Sequence, residues 1–390
     1  MGKLFKERGN NFLRFLDRYV GIPLVFFLSF FRKKRSLPQK EPIAQRPIFI
    51  KMSGIGDSIL TLPIIRELKE TNPDINITVI CGKNNREVFK NLLVDNAIDE
   101  LIYIDVGRLV FNWVYLWKKI YELGAGRYDY CIDFDPWSRI SALLSFWVSA
   151  DFKIGFRKEN QFKHYLFDQR ETHEQTIHEC DNYKKLVKPI VGNIGHVPQY
   201  PVFYDSEVYQ RKFITSRGIQ RYIIFHPWAA GYRHTLKELD TSSVLYICKK
   251  LTARGYEIII TGGKKDIEKS KSLTERIDHA YSIAGQTNLN ETAIFLKNAA
   301  CVITVNTGVL HLAAAVNSKI VSVNGPTDVN RWRPLCDKAI NIKSNLFCSP
   351  CLDLGFEYKC EQHGVPEGHC MKKIDLDEVV ESALKLVSSG

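Results

Sequence analysis

At 390 residues the chain exceeds one comfortable hydrophobic core, so two domains are expected. Its 45% hydrophobic and 25% charged residues fit a folded soluble protein and exclude a disordered one. The formal net charge of +11 would suggest nucleic acid as a partner, but residues 1–40 hold ten Lys/Arg against two acids, leaving +3 for the other 350 residues. The basicity belongs to the tail, and no nucleic-acid partner is expected.

That tail surrounds an apolar segment of thirteen residues, Tyr19 to Phe31, bounded by Arg18 and Arg32. A membrane span takes about 20 residues. No small-residue cleavage site follows, and Arg32-Lys-Lys-Arg35 does not suit the end of a signal peptide. Pro23 separates the segment from the amphipathic run Phe12 to Arg18. The pattern fits a helix lying in a membrane interface, aromatic side chains inserted and cations on anionic head groups. The other reading, a helix packed on the first domain, sits poorly with the dense flanking charge. Residues 35–47, with three prolines, read as a linker. Residues 1–46 are therefore expected to be a membrane-associating tail and linker.

Ile48 to Ile50 is an apolar run of the kind a buried parallel strand shows. Ser53-Gly-Ile-Gly-Asp57 is a glycine turn, and Ile59, Leu60, Pro63, Ile64, Ile65 and Leu68 then recur at helical spacing. Strand, tight loop and helix N-terminus together aim backbone N–H groups and a helix dipole at a ligand. The loop lacks the third glycine of a dinucleotide fingerprint and the Gly-Lys-Ser/Thr of a Walker loop. What it carries instead is Asp57, either the cap of the following helix or a catalytic carboxylate.

Strands are expected over 75–81, 97–105, 128–134 and 152–156, and helices over 111–123, 141–148 and 174–189. After a connection over 198–216 a second series begins, with strands over 222–226, 256–261, 300–305 and 320–323. Its helices are expected over 241–254, 266–277 and 307–316. Strands alternating with helices imply doubly wound parallel sheets. The expected domains are 47–205 and 206–390.

Ligands of such sheets bind beyond the carboxyl ends of the strands. In the first half this singles out Gly54, Gly56 and Asp57. In the second it singles out His226, Arg233, Lys237, Gly262, Gly263, Asp266, Asn306, Thr307, Gly308, His311, Gly325 and Thr327. Asn306-Thr-Gly308 would form an anion site at a helix N-terminus, suited to a diphosphate, with His311 one turn in. His311 could equally be a packed core residue. Arg233 and Lys237 could neutralise the same phosphates or form an exposed basic loop. Asp266 could accept from a ribose hydroxyl or cap its helix.

The ordered set Gly54-Ile-Gly-Asp57, Gly308-Val-Leu-His311 and Gly325-Pro-Thr-Asp328 followed by Arg331-Trp332 resembles glycosyltransferase family 9, the heptosyltransferases, from about residue 47 to the end. The resemblance implies a GT-B fold of two Rossmann-like domains, acceptor on the first and nucleotide sugar on the second. It also implies an inverting reaction that needs no metal or other cofactor. Asp57 matches the general base, Arg233 a residue on the donor phosphates, and Thr307, Gly308 and His311 the diphosphate loop. Asp133-Phe-Asp-Pro-Trp-Ser-Arg139 and Lys153-Ile-Gly-Phe156 look like acceptor-side segments, with Asp133 and Arg139 their candidate contacts. The family has Asp where this chain has Asn306, which keeps hydrogen bonding and loses a charge.

The resemblance thus implies transfer of a sugar such as heptose from an ADP-heptose-like donor to a lipid-linked saccharide, lipopolysaccharide core for example. The tail adds an anionic membrane surface as partner, on the cytoplasmic face of a bacterial inner membrane. Two other readings stand beside it: another nucleotide sugar used for capsule or O-chain, and a non-catalytic sugar-nucleotide or glycolipid-binding protein, which Asn306 favours.

Of the ten cysteines, Cys348-x2-Cys351-x8-Cys360-x9-Cys370 cluster near the end. The spacing fits a structural zinc site, and an iron–sulfur cluster needs the same four thiolates. Reduced thiols on a loop are the alternative. The other six lie in apolar or helical contexts and read as reduced core residues.

Overall fold

The computed structural model describes residues 11–32, 35, 44–52, 54–191, 194–195, 199–201, 207–231, 233–352, 360 and 363–388. Residues 36–43 of the expected linker, and parts of the connection over 198–216, lie outside these. The chain divides into two compact units, Met1–His196 and Val197–Gly390.

The N-terminal unit opens with α1 (Asn11–Tyr19) and α2 (Gly21–Ser29). There follow β1 (Ile48–Lys51), α3 (Ile55–Ile59), α4 (Leu62–Thr71), β2 (Thr78–Cys81), α5 (Arg86–Val94) and β3 (Glu100–Tyr103). Then come α6 (Val106–Phe111), α7 (Trp113–Ala125), β4 (Tyr128–Asp133), α8 (Arg139–Trp147), β5 (Ala150–Arg157), β6 (Gln169–Thr172) and α9 (Glu179–Val191). The sheet order is β3-β2-β1-β4-β5-β6, with every neighbouring pair parallel.

The C-terminal unit runs α10 (Glu207–Thr215), β7 (Tyr222–His226), α11 (Thr241–Thr252), β8 (Glu257–Ile260), α12 (Ile267–Thr274), β9 (Ala280–Ser282) and α13 (Leu289–Lys297). It continues β10 (Cys301–Val305), α14 (Gly308–Ala315), β11 (Ile320–Asn324), α15 (Val329–Trp332), β12 (Ala339–Lys343), α16 (His369–Lys372) and α17 (Leu376–Ser388). Its parallel sheet has the order β12-β11-β10-β7-β8-β9. Counted from each unit's own first strand, both sheets read 3-2-1-4-5-6, the dinucleotide-fold order with its crevice where the order reverses. That point lies between β1 and β4 in one unit and between β7 and β10 in the other. All residues of β1, β2, β7, β10 and β11 are buried, because helices cover both faces of a parallel sheet.

Local side-chain hydrogen bonds account for two of the departures from the expected helices. The helix expected over 111–123 is two: Asn112 leaves helical geometry and its Oδ1 accepts from the Tyr115 N–H at 2.9 Å, while Asp105 caps α6. The helix expected from 174 starts at Glu179, because Asn182 binds both backbone groups of Glu174 and holds that stretch as a loop. The helix expected from Asp266 begins one residue later, after a short 3-10 turn over Lys264–Asp266. Strands β6, β9 and β12 and helices α5, α10, α13, α15, α16 and α17 are additions to the sequence reading, α10 falling in the stretch expected as a connection.

The apolar segment also departs from expectation. α2 packs on the unit, burying Val25 and Leu28 against Ala142, Leu166 and Phe167. Asp17 of α1 accepts from the Arg139 N–H at 2.8 Å and pairs with its guanidinium at 2.8 Å, so the flanking charge is itself part of the docking. Pro23 sits in the first turn of α2, where its missing N–H costs nothing, rather than at a break. The outward face stays apolar: Phe15, Tyr19, Phe27, Phe30 and Phe31 are exposed.

Candidate active site

In the N-terminal unit the crevice residues follow β1 and β4, whose register pairs Ile50 with Asp133. Gly54 occupies the N-cap of α3 at φ 85°, a left-handed conformation that glycine adopts without strain. Asp57 is therefore not the N-cap residue but the third residue of the helix, half-buried in its first turn, where a carboxylate is favoured by the helix dipole. Gly56 beside it is buried. Asn85 fixes this turn, donating to the Lys51 carbonyl and to Ser58 Oγ at 2.8 Å each, while Ser58 Oγ donates to the Gly54 carbonyl at 2.7 Å.

Beneath the turn lies a buried charge network. Lys51 Nζ meets Asp135 Oδ1 at 3.0 Å and the Tyr183 hydroxyl at 3.2 Å. Burial works against its charge, but Asp135, Asp57 and Glu179 outweigh burial and raise its pKa, so it remains an ammonium. Asp135 Oδ2 accepts from the Met52 N–H at 2.8 Å. Asp133 is fully buried: it pairs with Lys163 at 2.8 Å and accepts from Ser141 Oγ at 2.8 Å and the Asp135 N–H at 2.9 Å. Its carboxylate thus shapes the loop after β4. Arg139 holds Asp17 and the carbonyls of Asn160 and Gln161.

In the C-terminal unit His226 ends β7 and Thr304 of β10 lies beside it in register. Burial pushes the His226 imidazole down to about 4, and its Nδ1 faces Thr261 Oγ1 at 2.9 Å. Gly262 and Gly263 follow β8, and the Gly263 N–H donates to Asp266 Oδ2 at 2.9 Å. Lys269 pairs with Asp266 at 3.0 Å and Glu238 at 3.2 Å while lying over the Trp228 ring. Arg233, in left-handed geometry, pairs with Glu367, and Lys237 is half-buried in the next turn.

Thr307 is the N-cap of α14, yet its side chain makes no cap bond, and its buried Oγ1 has no hydrogen-bond partner among the described residues. Gly308 begins the helix. His311 is buried, its ring 6.2 Å from that of Trp332. Asn306 uses its amide inside the unit, donating to Asn324 Oδ1 at 2.9 Å and the Trp332 carbonyl at 3.2 Å. Asn324 in turn donates to Ser322 Oγ at 2.9 Å and the Ile342 carbonyl at 3.3 Å, which leaves its Oδ1 toward Asn306. A Cβ on Gly325 would stand 2.4 Å from Met371 Sδ, so any side chain there must displace the Met371 thioether, and Thr327 beyond it is buried.

Cys348, Cys360 and Cys370 are buried and Cys351 half-buried. Burial, reinforced by the other three sulfurs, pushes the Cys370 thiol up to about 12. Among the described residues no three His, Cys, Asp or Glu side chains are gathered so as to hold a metal ion. The zinc expected from the spacing has no support there, and residues 353–359 between the thiols lie outside the described set.

Sequence reasoning missed Lys51, Asp135, Lys163 and Asn324. Lys51 was the readable one, a cation closing an otherwise apolar strand.

The family model of "Glycosyltransferase family 9 (heptosyltransferase)" matches residues 116–361. Lipopolysaccharide heptosyltransferase 3 of Escherichia coli is 26% identical over 309 residues, covering 73% of this chain and 85% of that protein. Lipooligosaccharide heptosyltransferase 2 of Haemophilus influenzae is 26% identical over 314 residues, covering 76% and 88%. Among solved structures, a family 9 glycosyl transferase from Veillonella parvula superposes with a TM-score of 0.75 at 19% identity, over 91% of this chain and all of that one. The E. coli ADP-heptose lipopolysaccharide heptosyltransferase II gives 0.68 at 20% identity, over 88% and 99%. With more than half its length matched and two sheets of one topology, the chain belongs to glycosyltransferase family 9, the heptosyltransferases, and is a glycosyltransferase of GT-B fold.

Proposed function

We propose that this enzyme moves heptose from ADP-heptose to a lipid-linked saccharide of the lipopolysaccharide core, with inversion and without a metal. The curated relatives are heptosyltransferases of lipopolysaccharide and lipooligosaccharide, and a structural neighbour is named for ADP-heptose. The observation that carries the reading is the buried Thr307 hydroxyl at the N-terminus of α14, beside the crevice of the C-terminal sheet. A hydroxyl and a helix N-terminus suit a diphosphate oxygen.

In this reaction an acceptor hydroxyl oxygen bonds to the anomeric carbon as the bond from that carbon to the diphosphate oxygen breaks. The diphosphate leaves with the electron pair, and Asp57 takes the hydroxyl proton. Thr307, the α14 N-terminus, His311 and Arg233 counter the charge growing on the leaving group. A neutral His226, held by Thr261, keeps the adjacent strand end in place. Asn306 favoured a non-catalytic protein, but its amide is engaged with Asn324 and Trp332, so the missing charge belongs to the scaffold.

The enzyme would work at the cytoplasmic face of the inner membrane, bound peripherally. Among the described residues no helix is long and apolar enough to cross a membrane, while α1 and α2 carry exposed aromatic side chains. Calorimetry with ADP-, GDP-, UDP- and CMP-sugars, on wild type and Asp57→Asn, tests the reading. Both proteins should select the ADP-sugar, and transfer by the variant should fall about 10²–10⁴-fold, as when a general base is removed. EDTA should leave wild-type transfer unchanged. Near-wild-type turnover of Asp57→Asn would overturn the assignment of the base, and selection of another nucleotide would overturn the donor.

A further inference from the structure

The N-terminal unit contains a cavity of about 330 Å³ bounded by α1, α2, α6, α7 and α8. Its walls include Leu24, Val110, Leu116, Ile120, Leu143 and Trp147, with Met52 and Trp137 among the remaining lining. Two charged side chains line it, Asp17 and Lys119, and each is paired, with Arg139 and Glu122 at 2.8 Å. Nothing in that lining recognises a sugar or a phosphate. Apolar walls of this kind exclude water and take an apolar guest, and the volume falls in the range of small-molecule sites.

The helices around the cavity are apolar on their outward faces too. On α7, Trp113, Val114, Trp117 and Tyr121 are 61–80% exposed, while Leu116, Ile120 and Leu123 of the same helix line the cavity. α7 thus carries large apolar side chains on its outward face as well as its inward one, which a water-facing surface helix does not. On the other side Tyr19, Val20 and Phe27 are exposed, and the Phe12 and Phe111 rings stack at 6.5 Å, joining α1 to α6. Tryptophan and tyrosine at this density mark a membrane–water boundary. Cations ride on the same helices, with exposed Arg18 on α1, Arg108 on α6 and Lys118 on α7, complementary to anionic head groups.

We infer that this cavity holds one acyl chain of an anionic bilayer phospholipid, drawn up between the N-terminal helices and α6–α8, its head group met by these cations. The inference rests on the membrane-peripheral reading above and extends it from a surface contact to a site for a single lipid. The aromatic faces would lie in the interface, and the cavity would continue the hydrocarbon phase into the unit.

Trp137 and Trp147 line the cavity, so bromine on a bound chain quenches them. The probe is monomeric lysophosphatidylglycerol with a brominated acyl chain, added to the full-length protein. Quenching should saturate near one equivalent, reverse with unbrominated lysophosphatidylglycerol, and be several-fold weaker with the choline head group. Ile120→Phe and Leu143→Phe, each filling the cavity from a different helix, should weaken binding at least tenfold. Both should still sediment with phosphatidylglycerol vesicles. Trp113→Ser/Trp117→Ser should do the reverse, losing vesicle binding while keeping the lysolipid site. Non-saturating quenching, or filled variants that bind like wild type, would overturn the site even where vesicle binding persists. Loss of vesicle binding by wild type itself would instead overturn the membrane reading. If neither filled variant folds, reversal by the unbrominated lipid in wild type decides. A stable dimer that the lysolipid leaves intact would assign the surface to a second copy and also overturn the inference.

Discussion

Asn306→Asp restores the residue that the family resemblance leads one to expect, and we predict that it harms this protein. The side-chain amide donates two hydrogen bonds at a position 8% exposed, to Asn324 Oδ1 at 2.9 Å and the Trp332 carbonyl at 3.2 Å. A carboxylate has no proton for either, and would face two oxygens at those distances. Each lost bond costs about 1 kcal/mol, and leaving a buried acceptor unmatched adds roughly 1–3 kcal/mol, so a loss of about 3–5 kcal/mol is expected. Rotating Asn324 to offer its amide would break its bonds to Ser322 and Ile342, so relaxation is not cheap. For a unit of this size the loss corresponds to a melting shift of roughly 10 °C. The assay is urea unfolding at constant m, repeated at pH 8 and pH 5. The introduced carboxyl would have a folded pKa above its unfolded value, and protonation returns one donor. Its penalty is therefore smallest at low pH and grows as pH rises through the folded pKa. A variant within about 0.5 kcal/mol of wild type at both pH values would refute the assigned amide network.

Two further outcomes follow from the same geometry. His226 has a folded pKa depressed from 6.5 to about 4, so the unfolded chain takes up a proton first. Stability should be full above pH 6.5 and fall as pH drops toward 4, by at most about 3 kcal/mol. His226→Asn should flatten that part of the urea-unfolding profile, and an unchanged slope would count against the buried neutral imidazole. Gly325→Ala pushes a methyl group into Met371, which should cost about 1–3 kcal/mol. In a Met371→Ala background the same change should cost less than half as much, and simple additivity in the double-mutant cycle would rule out the contact.

The central strands of both sheets were legible because they are buried on both faces and therefore written as unbroken apolar runs. The strands that escaped, β6, β9 and β12, are all at sheet edges or next to solvent, with half-exposed residues in place of an apolar run. β3, read too long, is an edge strand as well. α13 did carry a local signal, the capping box of Asn288 and Glu291. The glycine turns and the carboxyl ends of the central strands brought Asp57, His226 and Thr307 into view, since strand, loop and helix are contiguous there. Lys51–Asp135 stayed hidden because its partners are 84 residues apart, and the pairing exists only once β1 and β4 are neighbours. Asn306 showed its type in the sequence but not its task, which depends on the orientation of Asn324.

The Asp17–Arg139 pair makes the first helices more than an appendage. Arg139 also gathers the carbonyls of Asn160 and Gln161, and Val25 and Leu28 of α2 cover Ala142 and Phe167. α1 and α2 are therefore a removable roof only at the expense of the unit they cover. Any surface that binds them in this docked arrangement, and not in the unfolded chain, acts as a ligand of the folded state. Its binding free energy then adds to folding stability by mass action. A phospholipid surface of the kind inferred here would raise the melting temperature of the N-terminal unit in proportion to how tightly the helices hold it. Adsorption and folding would then be a single equilibrium, and a chain released from the surface would also be a chain closer to unfolding.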